Sequence, residues 1–384
     1  MLAKLPIASK IGGGVLFLYL LVIISSSAWL PDPSPYANTQ NLELSQLPPL
    51  SKVEIIKIFL PVNYKNYEGG KYTEIALFPG EKPCIVEDTI FFRKYSGLRS
   101  WLLLPLVVLK IDKEDKQVAS LLLTTGKPYE VQGNFLKWWD GTKWNVTSRE
   151  DLASAFWKLH YQRKVYILGT DFYGRDVLSR LVKGGSYSLF VGLVSVFFSL
   201  LLGVGLGTLA GLIRGGVDYF IQGLMAVLWA LPSLILAIGF SFVLGKGFLP
   251  LCLAIGLSIW VDMARVIRNE LLSLREREFV ISAKLMGFSS NHIFRQHLFP
   301  NLVGVILVYS CSNFGTAILL EAGLSFLGLG IAPPTPTWGN MIYEGYTYIL
   351  LSQGKWLAFF PGAAIIILII SLYLLTGGLQ NLHK

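Results

Sequence analysis

From residue 186 onward the chain alternates apolar runs long enough to cross a bilayer with a single strongly polar stretch, residues 264–297. The runs fall at about 186–213, 219–244, 248–264, 302–322 and 356–375. A helix of roughly 17–25 mostly apolar residues spans a hydrocarbon core. Ten Lys/Arg follow Gly185, and six of them (Arg265, Arg268, Arg275, Arg277, Lys284 and Arg295) lie in the polar stretch. A basic loop between spans belongs on the cytoplasmic side. The expected fold is therefore all-α and polytopic, with a cytoplasmic loop of helical periodicity that can act as a docking surface.

Composition supports a membrane class. Charged residues make up 15% of the 384-residue chain, against about 25% in soluble domains. The net charge of +9 does not imply nucleic acid, because the late basic residues cluster in one loop and the earlier ones mix with acids. Residues 31–185 hold 21 Lys/Arg against 17 Asp/Glu. The three cysteines, Cys84, Cys252 and Cys311, form no CxxC, so neither a zinc site nor a disulfide framework is suggested.

Lys4 and Lys10 precede an apolar run at 14–30. We read it as an uncleaved first span with the N-terminus inside. A signal peptide cleaved near Ser25-Ser26-Ser27-Ala28 is the alternative. Residues 31–164 form an extracytoplasmic α+β insertion, large enough for a small folded domain. Within it, 53–60 and 72–77 read as strands. The run 101–109 is too short to span, contains Pro105, and packs in a core or lies at the interface. Thr147 and Glu150 stand at capping-box spacing before a helix reaching His160. Residues 165–384 hold the remaining five spans. With six spans, Arg214, the 264–297 loop and Lys384 fall inside and the insertion falls outside, where the positive-inside bias does not constrain long loops.

Several motifs are excluded by context. Gly205–Ala210 fits GxGxxA but lies within an apolar run with no preceding strand. Gly203, Gly207 and Gly211, four residues apart, instead give one small helix face for close packing. Gly245-Lys246-Gly247 lacks the spacing and the Ser/Thr of a phosphate loop. The four His are scattered, and no nucleophile–base set can be argued from spacing. No catalytic, metal or cofactor-binding residue is expected.

Three segments carry function. In Leu168–Leu181, LGTDFYGRDVLSRL, Thr170 to Tyr173 read as a turn into a short amphipathic helix, with Val177, Leu178 and Leu181 facing lipid or protein and Arg175, Asp176 and Arg180 facing water. In the basic loop, a helix around 281–288 presents Ala283, Leu285 and Met286 as an apolar knob and ends at Gly287. Ser289, Ser290 or Asn291 caps a second helix leading to Pro300. Such a projection either is gripped by a partner or is a solvated loop that only sets orientation. In Glu321–Asn340, Glu321 lines a water-filled translocation path or sits at the interface. Pro333, Pro334 and Pro336 stiffen the following turn, and Trp338 suits an interfacial anchor.

Together these residues resemble the inner-membrane permease subunit of bacterial ABC importers, in the dipeptide/oligopeptide/nickel group. The block Gly169, Thr170, Asp171, Gly174, Arg175, Asp176 is similar to that group's block before its second span. The loop resembles the permeases' Glu-Ala-Ala loop: Ser282-Ala283, Gly287 and Pro300 keep its register, while its Glu falls on Ile281, its Ile on His297 and its Leu on Phe299. The group's own flavour is matched at Arg268–Arg275, which includes Glu270, at Arg295–Asn301 and at Leu324–Asn340. The resemblance is weak over 1–30 and strong over 165–384, and the 31–164 insertion is a departure from it. It implies the type I ABC importer permease fold with six transmembrane helices, in a bacterial inner membrane. It also implies a coupling segment at Ser282, Ala283, Lys284, Leu285, Met286, Gly287 and Phe288. The implied partners are membrane lipid, a second homologous permease, two cytoplasmic ATPase subunits that use ATP, and an extracytoplasmic solute-binding protein. The implied cargo is a short peptide, with nickel chelates or another small solute as the alternative.

Overall fold

The computed structural model describes residues 6–34, 36–60, 74–86, 89–94, 101–105, 110–111, 118–119, 129–132, 135–139, 144–148, 150, 161–213, 215–349 and 354–382. Two compact units emerge, residues 1–38 with 177–384, and residues 39–176. Residues 165–176, assigned from sequence to the membrane region, thus belong with the polar unit.

The first unit is helical, as lipid requires of a chain that must satisfy every backbone group internally. Its helices are α1 (Ile7–Trp29), α2 (Val177–Leu212), α3 (Gly216–Trp229), α4 (Ser233–Leu244), α5 (Phe248–Arg275), α6 (Glu278–Leu285), α7 (Ser290–Ile293), α8 (Phe299–Phe326), α9 (Trp338–Ile349) and α10 (Trp356–Leu382). A π-turn, Phe294–Leu298, joins α7 to α8. Among the described residues five helical segments are long and apolar enough to cross a membrane, or six if α3 and α4 count as one broken span. The run at 219–244, expected as one span, is bent by 97° between α3 and α4. Pro232 stands at the break and supplies no backbone N–H to continue a helical ladder. α5 also runs eleven residues beyond the expected end at residue 264, because Ile267 and Leu271 keep its inner face fully buried.

α2 and α5 form the centre of the unit. Gly203 faces the Met263 side chain, Gly207 the Ala264 carbonyl and Gly211 the Leu271 side chain. An added Cβ at Gly207 would sit 2.5 Å from that carbonyl oxygen, which is backbone and cannot rotate away. We expect Gly207→Leu to force the two helices apart at a cost of about 1–3 kcal/mol, read as a lowered unfolding midpoint in detergent. An unchanged midpoint contradicts the packing. α8 completes the core, with Val191, Ile255, Ala317 and Leu324 in one buried cluster. α1 lies along α10, where Ser9 Oγ donates to the Leu374 carbonyl at 2.8 Å and the Tyr19 hydroxyl donates to that of Ala364 at 3.0 Å.

The second unit is antiparallel β. Strands β1 (Ser51–Leu60), β2 (Glu74–Val86), β3 (Thr89–Lys94), β4 (Trp101–Pro105) and β10 (Tyr161–Tyr166) form one sheet in the order β10-β1-β2-β3-β4. β7 (Tyr129–Gln132), β8 (Phe135–Trp139) and β9 (Trp144–Ser148) form a second sheet, and β5 (Lys110–Ile111) pairs with β6 (Val118–Ala119). Residues 53–60 lie within β1, and 74–77 of the expected second strand lie within β2. The apolar run at 101–109 begins as β4; its remainder, 106–109, lies outside the described residues. Thr147, expected as a helix cap, belongs instead to β9, where it pairs with Leu136; residues 151–160 of the expected helix lie outside the described residues.

Candidate functional site

The polar stretch after residue 264 folds as the end of α5, a tight turn, α6, and the start of the α7–α8 helix. One face of α6 is anchored. Val280 and Ala283, three residues apart and so on one side of the helix, are 0% and 3% exposed and pack with Leu271, Leu274, Ile293, Leu298 and Leu302. The tip is bare: Leu285 is 83% exposed and Met286 70%, with Phe288 and Ile281 also exposed. Ala283, expected as part of the knob, therefore belongs to its root. Ser282 and Lys284 are exposed beside the tip.

Gly287 ends α6 in a Schellman turn. Its N–H donates to the Lys284 carbonyl at 3.0 Å and the Phe288 N–H donates to that of Ala283 at 3.2 Å. Its φ is +78°, while space for a Cβ is open, so the need for glycine is conformational rather than steric. Ser289 caps α7 by accepting the His292 N–H at 3.3 Å, and Phe288 stacks on His292 with centroids 4.8 Å apart. Pro300 lies in the first turn of α8, where the missing N–H costs nothing. It lines a cleft of about 940 Å³ together with Glu270, Glu276, Arg277, Glu278 and Asn301. Arg268 holds Asp218 of α3 through two hydrogen bonds, Nε–Oδ1 at 2.7 Å and Nη2–Oδ2 at 2.8 Å. The geometry is a rigid projection: a buried root, fixed turns on both sides, and an apolar surface that no other described residue covers.

The block before α2 is a compact turn within the second unit. Asp171 Oδ1 accepts the N–H groups of Tyr173 and Arg175, each at 2.9 Å, and its Oδ2 pairs with Arg175 Nε at 2.6 Å. The Thr170 hydroxyl donates to the Leu44 carbonyl and accepts the Leu47 N–H. Gly169 and Gly174 both have positive φ and press against Leu47 and Asn41. Arg175, Asp176 and Arg180, expected to face water, are 2–3% exposed. No separate amphipathic helix forms; α2 starts at Val177 and runs unbroken. In the helical unit Arg180 reaches Glu344 of α9 at 3.1 Å. A pairing across 164 residues leaves no local signature.

Glu321, expected on a water-filled path or at the interface, is 0% exposed within α8. A buried carboxylate needs its lone pairs filled. Ser325 Oγ donates to Oε1 at 2.7 Å and Ser188 Oγ to Oε2 at 3.0 Å, and Thr337 is a third hydrogen-bond partner. Ser188 in turn accepts the Trp338 backbone N–H at 3.1 Å. Trp338, expected as an interfacial anchor, is 2% exposed, with its indole N–H on the Leu181 carbonyl at 2.9 Å. The acid thus clamps α2, α8 and the turn leading into α9. Farther along the same seam, Asn313 Nδ2 donates to Ser199 Oγ at 3.2 Å.

Sequence reasoning passed over Asp262 and Trp229. Asp262 is exposed on α5 and accepts the Trp229 indole N–H at 3.2 Å.

Residues 203–383 match the family model described as binding-protein-dependent transport system inner membrane component. The chain is 36% identical over 213 residues to a peptide permease protein of Brucella suis, covering 56% of this chain and 70% of that one. It is 34% identical to the oligopeptide transport system permease protein OppC of Bacillus subtilis, covering 57% and 71%. Against the di/tripeptide transport system permease protein DppC of Pseudomonas aeruginosa it is 36% identical, covering 56% and 71%.

Proposed function

Since the chain belongs to the family of binding-protein-dependent transport system inner membrane components, we propose that it is a translocation subunit of an ATP-driven importer of short peptides. The observation that carries this reading is the bare apolar tip, Leu285, Met286 and Phe288, set on a buried root within the residues that the family model matches. In this reading the tip is cytoplasmic and is gripped by one of two ATPase subunits. A second, similar permease completes the path, and a solute-binding protein delivers the peptide on the opposite side, where residues 31–185 lie. The chain itself hydrolyses nothing; ATP acts through the partners.

Coupling then has a physical form. A ligand shifts a conformational equilibrium only through differential contacts with its states. The ATPase pair, closing on ATP, pushes on the α6 tip. Val280 and Ala283 pass the displacement to Leu271 and Leu274 of α5 and to Leu302 of α8. α5 is locked to α2 by close glycine contacts and to α3 by the Arg268–Asp218 pair, so these helices move as a body. The names of the relatives quoted above support peptide as the cargo. Uptake of a labelled tripeptide into cells lacking and then regaining this chain tests the function: uptake should return with the chain and vanish on ATP depletion. Uptake that survives depletion overturns the ATP-driven reading.

A further inference from the structure

We infer that Trp229, Asp262 and Arg265, where α3 meets α5, hold the headgroup of a membrane phospholipid that carries both a phosphate and an ammonium, as phosphatidylethanolamine does. The proposal needs only that these helices lie in a bilayer, not the importer reading. The sequence sets the depth. The apolar run 248–264 of α5 ends two residues after Asp262, and Arg265 opens the basic stretch. Such a change of composition marks the boundary between hydrocarbon and the basic, cytoplasmic side. α3 lies at the same level. Its apolar and polar partners on α5 fall between Trp260 and Arg268, about 12 Å of helix, whereas its own 14 residues run about 20 Å. α3 therefore crosses α5 aslant instead of running beside it, and only its Ile221 and Met225 are buried.

The side chains at that level carry the chemistry a headgroup needs. Trp229, the last residue of α3, is 60% exposed, and indole rings favour the membrane–water interface. Its N–H donates to Asp262 Oδ1 at 3.2 Å, and the Arg265 guanidinium sits over its ring at 4.3 Å. One ring thus holds an acid and a base that share a helix face. Yet neither Asp262 nor Arg265 has an ion-pair partner among the described residues. A guanidinium is a planar fork that matches a phosphate. A carboxylate with an oxygen to spare accepts an ammonium. A single ligand bearing both charges satisfies the two groups together, and a bilayer supplies one at this depth without a further protein. Beyond the 97° bend, Leu231 and Ile235 are exposed and offer apolar surface for the acyl chains.

Native mass spectrometry of the detergent-purified full-length chain tests this, with dioleoyl phosphatidylethanolamine, phosphatidylcholine and phosphatidylglycerol added in equal amounts. Wild type should retain phosphatidylethanolamine preferentially, because the choline ammonium has no N–H to donate to Asp262 and the glycerol headgroup has no cation. Asp262→Asn should lose that preference. Arg265→Gln should weaken retention of all three lipids roughly tenfold, the loss of a charge-assisted hydrogen bond. Equal retention by wild type and both variants would overturn the proposal. Soluble glycerophosphoethanolamine should not displace the lipid; displacement at equal concentration would show a site for a free phosphodiester and overturn the lipid assignment. The chain isolated within its native assembly should keep the lipid. Loss of the lipid there would make this face a contact with another protein and overturn the proposal as well.

Discussion

Replacing Leu285 and Met286 together by aspartate should abolish ATP-driven uptake while leaving the chain inserted and folded. Both side chains are largely exposed, at 83% and 70%, so their loss removes little packing. Exposed positions of this kind shift stability by about 0.5 kcal/mol or less. In the docked state they are the apolar anchors available to a partner groove, and such anchors cost about 2 kcal/mol or more each when removed. Two of them amount to roughly a thousandfold in affinity, before the cost of burying two new carboxylates. The check is uptake measured beside the membrane content of the chain. Loss of uptake with normal content is the expected result; normal uptake would show that the tip is not the contact.

The second large effect is on stability. Glu321→Ala should cost about 3–5 kcal/mol, because three hydroxyl partners lose their acceptor and a cavity opens among them. The clamp ties Ser188 of α2 to Ser325 of α8 and to the Thr337–Trp338 turn, so the damage should spread to α9. Glu321→Gln keeps the volume and one oxygen acceptor and should cost less. Unfolding midpoints in detergent, ordered wild type, Gln, Ala, are the expected outcome. A wild-type midpoint in the Ala variant would show that the clamp contributes nothing.

These two sites also show what the sequence makes legible. Gly287 could be read as a helix stop because the capping requirement is local: one residue with φ of +78° and two hydrogen bonds to the turn before it. The inward face of α6 could not, because Ala283 is buried by Leu271 and Leu302, which approach from other helices. The same holds for Arg180, whose partner Glu344 is remote in sequence, and for Trp338, whose aromatic character suits an interface equally well. Glu321 looked expensive in lipid, and it is; its cost is offset by hydroxyls from α2 and from the turn after α8, which no spacing rule identifies. The α3–α4 bend was within reach, since Pro232 interrupts the run at 219–244, but the continuous hydropathy on either side outweighed it. The helix content and the stop of α6 at Gly287 are thus written in short-range patterns. The polar contacts that fix the helices against one another are not.

The most direct test of the central claim is a pull-down from detergent-solubilised membranes with this chain tagged, comparing wild type, Leu285→Asp/Met286→Asp and Gly287→Asp. The last variant places a Cβ at a positive φ, which disfavours the turn that positions the tip. The account predicts two ATP-binding subunits and a second permease with wild type, and loss of the ATP-binding subunits, with the second permease retained, in both variants. ATP-binding subunits recovered equally with all three chains would contradict it.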